Sequence, residues 1–144
     1  MSSKTENASE MNRRSEINSI REKEHKILII DDKDKFRKAF RFKLEKMYKA
    51  EVTDVNSGEM GVEELKNGAQ YDFIFTDMMM PGINGIETYH ELRKIDPQTK
   101  IVIMSAYPDS DGWKQVSELK DVTLLHKPIS DDDLIKVLCN YEKE

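Results

Sequence analysis

Short runs of apolar residues recur along this chain and alternate with longer polar or amphipathic stretches. Each run is rich in β-branched or aromatic residues and is bounded by turn-forming residues, which is typical of buried strands. The four clearest runs cover residues 26–30, 71–75, 100–104 and 122–125. A fifth run, residues 50–55, is half polar, so it predicts a strand at or beside the edge of a sheet.

Between these runs, apolar residues recur at helical spacing and predict five helices. Their apolar stripes are Phe36, Phe40, Leu44 and Met47; Met60 and Leu65; Ile86, Tyr89 and Leu92; Trp113, Val116 and Leu119; and Leu134, Ile135, Leu138 and Tyr141. Ser57 and Ser130 are predicted to cap the second and fifth helices. Strand and helix alternate five times, which predicts an α/β domain with a parallel sheet covered by helices on both faces.

Composition and charge favour a single domain that does not enter a membrane. The 144 residues include 28 acidic and 23 basic side chains, for a net charge of −5, and one domain is expected at this length. No apolar run approaches the roughly 20 residues that cross a bilayer, and the start lacks the pattern of a secretory signal. Cys139 alone offers no disulfide framework. We therefore expect a cytoplasmic protein without membrane insertion, and the acidic balance argues against direct nucleic-acid binding.

The N-terminal segment differs from the rest of the chain. Residues 1–25 contain no aromatic side chain and few apolar ones, so they bury too little surface to offset the entropy lost on ordering. We expect residues 1–25 to form a polar, disordered tail and residues 26–144 to form the folded domain.

Polar side chains follow four of the predicted strands, where the carboxyl ends of parallel strands meet and ligands bind. They are Asp31 and Asp32, Asp77, Ser105, and Lys127. Any one of them alone is explained as well by a turn, a helix cap or a surface charge, but their joint placement favours a site. Three converging carboxylates repel one another and need a counter-charge, which Mg²⁺ supplies. With a lysine and a hydroxyl nearby, such a site is equipped to accept a phosphoryl group on a carboxylate.

Four motifs in order make the chain resemble the receiver domain of a two-component response regulator. They are ILIIDD (residues 27–32), FIFTDMMMPGINGIE (73–87), IVIMSA (101–106) and HKP (126–128). The resemblance covers about residues 26–141. It implies a flavodoxin-like, doubly wound, five-stranded parallel sheet of strand order 2-1-3-4-5, in a stand-alone receiver similar to those of chemotaxis.

The resemblance also implies a role for each acidic residue of the site. Asp77 would be the phosphoacceptor, supplied by a histidine kinase or a histidine phosphotransfer protein. Mg²⁺, or Mn²⁺ in its place, would be bound directly by Asp32, through water by Asp31, and by Asp77. The backbone carbonyl of Met79 would complete the protein ligands.

Further roles follow for the residues after the last two strands. Ser105 would be the switch hydroxyl that moves to the phosphate, and Lys127 would pair with the phosphate. A cis peptide bond is expected between Lys127 and Pro128. The chain departs from the family at Leu124, where receivers usually carry a tyrosine or phenylalanine that transmits the switch.

The leading hypothesis is therefore a phosphoacceptor switch, not an enzyme, that signals to an unknown downstream protein through altered binding. Two alternatives stay open. One is an interaction module that keeps the receiver shape but acts independently of phosphorylation. The other, less favoured because the chain has no cap domain to enclose a substrate, is a Mg²⁺-dependent phosphatase that turns over through an aspartyl phosphate.

Overall fold

A computed structural model describes residues 24–107 and 111–142, together with Ala8, Glu10, Met11 and Ser15 of the N-terminal segment. These four residues are helical and exposed. The rest of residues 1–23 lies outside the described part, so the disordered tail stays a prediction. His25 is buried and packs edge-on against Phe73, so the described packing includes the last residue of the segment assigned to the tail.

Five strands form one parallel sheet. They are β1 (Lys26–Ile30), β2 (Glu51–Val55), β3 (Phe73–Asp77), β4 (Lys100–Ser105) and β5 (Val122–His126). Their order across the sheet is β2-β1-β3-β4-β5, and every neighbouring pair is parallel. The predicted strand order is confirmed, and the half-polar run forms an edge strand, β2.

Five helices connect and cover the strands in the described part of the domain. They are α1 (Asp34–Met47), α2 (Gly58–Lys66), α3 (Gly85–Ile95), α4 (Asp111–Ser117) and α5 (Asp131–Glu142). The predicted caps are present, because Ser57 Oγ accepts a hydrogen bond from the Met60 amide and Ser130 Oγ accepts one from the Asp133 amide.

The strands separate two apolar cores, one on each face of the sheet. Successive residues of β1 and β3 alternate between the two faces, as the pleat of a strand requires. Helices α1 and α5 cover one core, and α2, α3 and α4 cover the other. The sheet is therefore covered on both faces, as predicted, and its strand ends are left open at one edge.

Two of the predicted stripe residues do not face the cores. Met47 and Met60 are exposed. Helix α2 instead buries Gly58, Gly61, Val62 and Leu65. Gly61 lets the helix lie close to Ile30 of β1, and Gly58 lets it lie close to Thr88 of α3. The periodicity predicted the helix and the burial of Leu65 correctly, but it wrongly placed Met60 on the buried face.

Candidate functional site

The three predicted aspartates come together at the carboxyl edge of the sheet. Asp31 and Asp32 directly follow β1, and Asp77 is the last residue of the adjacent strand β3. One carboxylate oxygen from each lies within 4.8 Å of those of the other two. Asp31 and Asp77 are 0% and 4% exposed, whereas Asp32 is partly exposed. The predicted acidic cluster is therefore present, with one side open to solvent.

Lys127 reaches this cluster from the end of β5. Its Nζ lies 2.6 Å from Asp31 Oδ2 and 3.3 Å from Asp77 Oδ1. The ammonium also lies 3.9 Å from the centre of the Phe36 ring, a distance at which a cation is attracted by the face of the ring. The peptide bond between Lys127 and Pro128 is cis, as expected. The lysine side chain is only 10% exposed and is fixed from two directions.

A second lysine, Lys33, also contacts the acidic cluster. Its Nζ lies 3.3 Å from Asp32 Oδ1 and 3.2 Å from Asp77 Oδ2. Its backbone N–H donates a 2.8 Å hydrogen bond to Asp31 Oδ1. Sequence reasoning missed Lys33, although its position next to the aspartate pair was a signal that could have identified it.

Burial and charge act in opposite directions on Asp77. Burial raises the pKa of this carboxyl group, Lys127 and Lys33 lower it, and Asp31 raises it, with a net pKa above the ordinary value. For Lys33, slight burial lowers the pKa, but the nearby Asp77 and Asp32 carboxylates raise it above the ordinary value. The charged carboxylate of Asp77 is therefore held at a cost in folding free energy, and added positive charge would lower that cost.

Ser105 ends β4 and lies beside the acidic cluster. Ser105 is buried. It directly follows Met104, the β4 residue that pairs in register with Asp77. Its Oγ accepts a 3.0 Å hydrogen bond from the Tyr107 amide, and its backbone carbonyl accepts one from the Lys127 amide. The hydroxyl keeps its own proton for donation to another acceptor.

The loop after β3 is held close to the site by helix α3. The Gly85 amide donates a 2.9 Å hydrogen bond to the Met78 carbonyl. A Cβ at Gly85 would lie 2.7 Å from the Asp77 carbonyl oxygen, so only glycine fits without a shift of the backbone. Met78 is buried and Met79 is exposed. The metal-ligand role of the Met79 carbonyl stays a prediction.

Arg37 of α1 stabilises the backbone at the acidic cluster. This buried guanidinium donates hydrogen bonds to the backbone carbonyl of Asp31 at 2.7 Å, to Asp54 at 2.8 Å and to Asp34 at 2.7 Å. It thereby ties the end of β1 to the edge strand β2 and to the start of α1. Sequence reasoning missed Arg37, because a basic residue in an amphipathic helix is usually solvated.

Leu124 lies on β5 at the position where the family usually carries an aromatic residue. It pairs in register with Ile103 and packs against the core under α2, α3 and α4. The aromatic residue Tyr107, which lies two residues after the end of β4, is exposed.

The donor set of this site fits a hard divalent cation. Three carboxylates supply only oxygen ligands, which Mg²⁺ prefers over nitrogen or sulfur, and the partly exposed side of Asp32 leaves room for water ligands. Among the residues that the structure describes, none of the helices combines the length and hydrophobicity needed to cross a membrane.

Comparison with known proteins identifies a family for most of the chain. Residues 27–139 match the family model described as the response regulator receiver domain. The chain is 28% identical to sporulation initiation phosphotransferase F of Bacillus subtilis over 118 residues, which cover 81% of this chain and 92% of that protein. It is 32% identical to the transcriptional regulatory protein ResD of Bacillus subtilis over 114 residues, which cover 78% of this chain and 45% of that protein. The chain spans less than half the length of ResD and of the related regulatory protein YkoG.

Solved structures give the same architecture. A receiver domain protein from Clostridium thermocellum has a TM-score of 0.72 and 28% identity, covering 83% of this chain and 97% of that one. The receiver domain of a sensor histidine kinase from Pseudomonas aeruginosa PAO1 has a TM-score of 0.74 and 19% identity, covering 85% of this chain and all of that one. That structure holds a magnesium ion coordinated in its active site cleft. At this identity, the second comparison establishes the fold alone.

Proposed function

This chain belongs to the response regulator receiver domain family, and from that premise we propose that it is a phosphoacceptor switch of a two-component phosphorelay. The observation that carries the proposal is the buried carboxylate of Asp77, which lies beside the carboxylates of Asp31 and Asp32 and 3.3 Å from the ammonium of Lys127. A carboxylate held in this way is suited to nucleophilic attack on phosphorus, because cations nearby offset the charge that accumulates during transfer.

In the proposed reaction, a carboxylate oxygen of Asp77 attacks the phosphorus of a phosphohistidine. The P–N bond to the imidazole breaks as the P–O bond to Asp77 forms, and the imidazole leaves on the partner protein. The donor is a histidine kinase or a histidine phosphotransfer protein, as the family membership implies. Water can later cleave the acyl phosphate, which returns the carboxylate and releases inorganic phosphate.

We propose that Asp31, Asp32 and Asp77, with the backbone carbonyl of Met79, hold Mg²⁺ or Mn²⁺ in this site. The oxygen-only donor set supports the assignment, as does the magnesium ion in the receiver domain from Pseudomonas aeruginosa. When bound, the ion would neutralise negative charge on the attacking carboxylate and on the transferring phosphoryl group.

Lys127 and Ser105 would hold the phosphoryl oxygens. Lys127 already lies 3.3 Å from Asp77 Oδ1, so its ammonium needs little movement to reach an oxygen on the modified side chain. Ser105 can donate its hydroxyl proton to the same group. If Ser105 Oγ moves toward the phosphoryl group to make this contact, the Tyr107 amide loses its acceptor. The segment after β4 would then shift with phosphorylation and alter the surface offered to a downstream protein.

This proposal places the chain in the cytoplasm as a stand-alone receiver, similar to those of chemotaxis. The region matched to sporulation initiation phosphotransferase F covers 92% of that protein, which supports a receiver of similar size. Leu124 fills the position of the usual aromatic switch residue, so we assign transmission to the Ser105–Tyr107 contact instead.

Phosphorylation by a small phosphodonor tests the assignment. The protein is incubated with acetyl phosphate, with and without Mg²⁺, and its intact mass is measured. We expect one phosphoryl group on the wild type with Mg²⁺, none on Asp77→Asn, and labelling of a control variant, Asp72→Asn, which removes the aspartate just before the same strand.

Label on Asp77→Asn would overturn Asp77 as the acceptor. Multiple-turnover release of phosphate from an added phosphate monoester would favour the phosphatase alternative. Partner binding that is the same for free and phosphorylated protein would favour the phosphorylation-independent interaction module.

A further inference from the structure

Lys33 places a second ammonium group between two of the three carboxylates that form the acidic cluster. Its Nζ contacts Asp32 Oδ1 at 3.3 Å and Asp77 Oδ2 at 3.2 Å. Lys127 uses the other oxygen of Asp77 and an oxygen of Asp31. The two ammonium groups therefore contact different carboxylate oxygens. Lys33 pairs with the partly exposed Asp32, and Lys127 pairs with the buried Asp31.

We propose that Lys33 is a tethered counter-ion that competes with the divalent metal ion for Asp32 and Asp77, and so lowers the metal affinity of the unphosphorylated protein. This inference rests on the proposed metal site, because the competition has meaning only if these carboxylates bind a metal.

The charge balance of the cluster supports displacement of Lys33 by the metal ion. The three carboxylates carry three negative charges, and the two ammonium groups neutralise two of them. A divalent cation together with Lys127 would neutralise all three, which leaves the charge of Lys33 in surplus. Like charges at such distances repel, so binding of the metal disfavours Lys33 in its present position.

The two lysines differ in how easily they can leave. The side chain of Lys33 is 59% exposed, and its flexible stem can carry the ammonium into water. The side chain of Lys127 is 10% exposed, lies 2.6 Å from the fully buried Asp31 and sits over the Phe36 ring. We therefore expect the ammonium of Lys33 to leave the carboxylates when the metal ion binds, while the ammonium of Lys127 remains in contact with them.

The exposure of Lys33 also limits the size of the effect. Exposed ion pairs contribute little because water and salt screen them, so removal of the competitor should tighten metal binding by about two- to fivefold. The effect should decrease at high ionic strength for the same reason.

Substitution of Lys33 should leave the fold intact. Lys33 precedes α1 but provides no side-chain cap to it. The hydrogen bond to Asp31 comes from its backbone N–H and is kept in any variant except proline. Lys33→Gln thus removes the ammonium and little else.

Isothermal titration with MgCl₂, with no phosphodonor present, tests the competition. The proteins are the wild type, Lys33→Gln, Lys33→Arg, and Lys35→Gln, which removes the same charge from an exposed position in the first turn of α1. We expect Lys33→Gln to bind Mg²⁺ about two- to fivefold more tightly than the wild type. Lys33→Arg should stay close to the wild type, because it keeps the competing charge, and Lys35→Gln should also stay close to it.

Equal affinities of Lys33→Gln and Lys35→Gln would overturn the competition while leaving the metal site and the proposed function in place. No Mg²⁺ binding by any of the four proteins would overturn the metal site itself, and the competition with it. A failure of Asp77 to accept phosphate alongside tighter metal binding by Lys33→Gln would overturn only the proposed function.

Discussion

Arg37 Nη1 donates a 2.7 Å hydrogen bond to the backbone carbonyl of Asp31, directly behind the acidic cluster. The same guanidinium binds Asp54 on β2 through Nε at 2.8 Å. Both partners lie in or directly after neighbouring strands, so one buried side chain fixes the position of the first aspartate relative to the edge of the sheet.

Arg37→Met should therefore destabilise the protein strongly. It leaves the Asp31 carbonyl without its donor, and it removes one of two cations from Asp54. Loss of one partner of a buried ionic network costs about 2–4 kcal/mol in the free energy of unfolding. Urea denaturation followed by circular dichroism measures the difference.

Arg41→Met is the matched control for this prediction. Arg41 also binds Asp54, at 2.5 Å, but its side chain is 40% exposed, compared with 10% for Arg37. We expect a loss of about 0.5 kcal/mol, as for an exposed ion pair. Equal losses for the two variants would show that the hydrogen bond to Asp31 contributes nothing beyond the shared contact with Asp54.

The raised pKa of Asp77 predicts a pH-dependent effect of its replacement. Burial raises the pKa of this carboxyl group in the folded protein, so the folded state holds the proton more tightly than the unfolded state. The contribution of Asp77 to the stability of the metal-free wild type should therefore fall as the pH rises from the ordinary carboxyl pKa of about 4 through the higher folded pKa. Asp77→Asn lacks this group and should be more stable than the wild type at pH 7.

Thermal unfolding without divalent metal, at a series of pH values, measures this effect. The advantage of Asp77→Asn should be largest at pH 7 and should shrink as the pH is lowered toward 4. Addition of Mg²⁺ should stabilise the wild type more than Asp77→Asn, because the substitution removes one of the three carboxylates. An advantage that is the same at every pH would contradict the raised pKa of Asp77 as its cause.

The sheet and the acidic cluster could be predicted from sequence because strand topology determines them. Asp31, Asp32 and Asp77 stand at the ends of apolar runs, and the ends of adjacent parallel strands meet whatever the side-chain details. The cis bond before Pro128 and the strand order followed from the family resemblance and are confirmed.

Two site residues could not be predicted from the pattern of apolar and polar positions, because that pattern does not show which distant groups a long side chain contacts. Lys33 and Arg37 are basic residues at the start of α1, where a solvated side chain is the usual outcome. Their contacts with the site are tertiary, as is the position of the Phe36 ring under Lys127. The exposure of Met60 has a similar cause. Gly61 lets α2 approach Ile30 of β1, and Gly58 lets it approach Thr88 of α3, so the buried face includes glycines that hydrophobicity alone does not identify.

Gly85→Ala should disturb the site as well as the fold. The added Cβ would lie 2.7 Å from the Asp77 carbonyl oxygen and 2.9 Å from Met78 Cα, both of which are backbone atoms. Relief of this clash requires a backbone shift, which costs about 1–3 kcal/mol and moves the aspartate. We expect lower unfolding free energy and weaker Mg²⁺ binding, measured by urea denaturation and by calorimetric titration.

Gly68→Ala provides the comparison. Gly68 has φ of +95° and no atom within 4 Å of the added Cβ, so its substitution costs about 1 kcal/mol through backbone strain alone. Gly68 lies after α2 and away from the acidic cluster. The Gly68→Ala variant should therefore bind Mg²⁺ with the same affinity as the wild type. Equal loss of metal affinity in both alanine variants would show that global destabilisation, not the contact with Asp77, is responsible.

Phe36 and Phe42 offer a similar comparison on α1, because each has a lysine ammonium over its ring. Lys127 Nζ lies 3.9 Å from the Phe36 centroid in a partly buried setting, and Lys46 Nζ lies 5.8 Å from the Phe42 centroid on the exposed side of the helix. Phe36→Leu should cost about 1–2 kcal/mol, and Phe42→Leu less than about 0.5 kcal/mol.

A double-mutant cycle separates the attraction of Lys127 to the ring from ordinary packing of Phe36. Phe36→Leu, Lys127→Met and the double variant are compared by urea denaturation at low salt. If the ring holds the ammonium over the acidic cluster, the two substitutions should couple by about 0.5–1 kcal/mol, so that the double variant loses less than the sum of the single losses. Additive losses would mean that Phe36 contributes only apolar packing, and that Asp31 and Asp77 alone hold Lys127 in place.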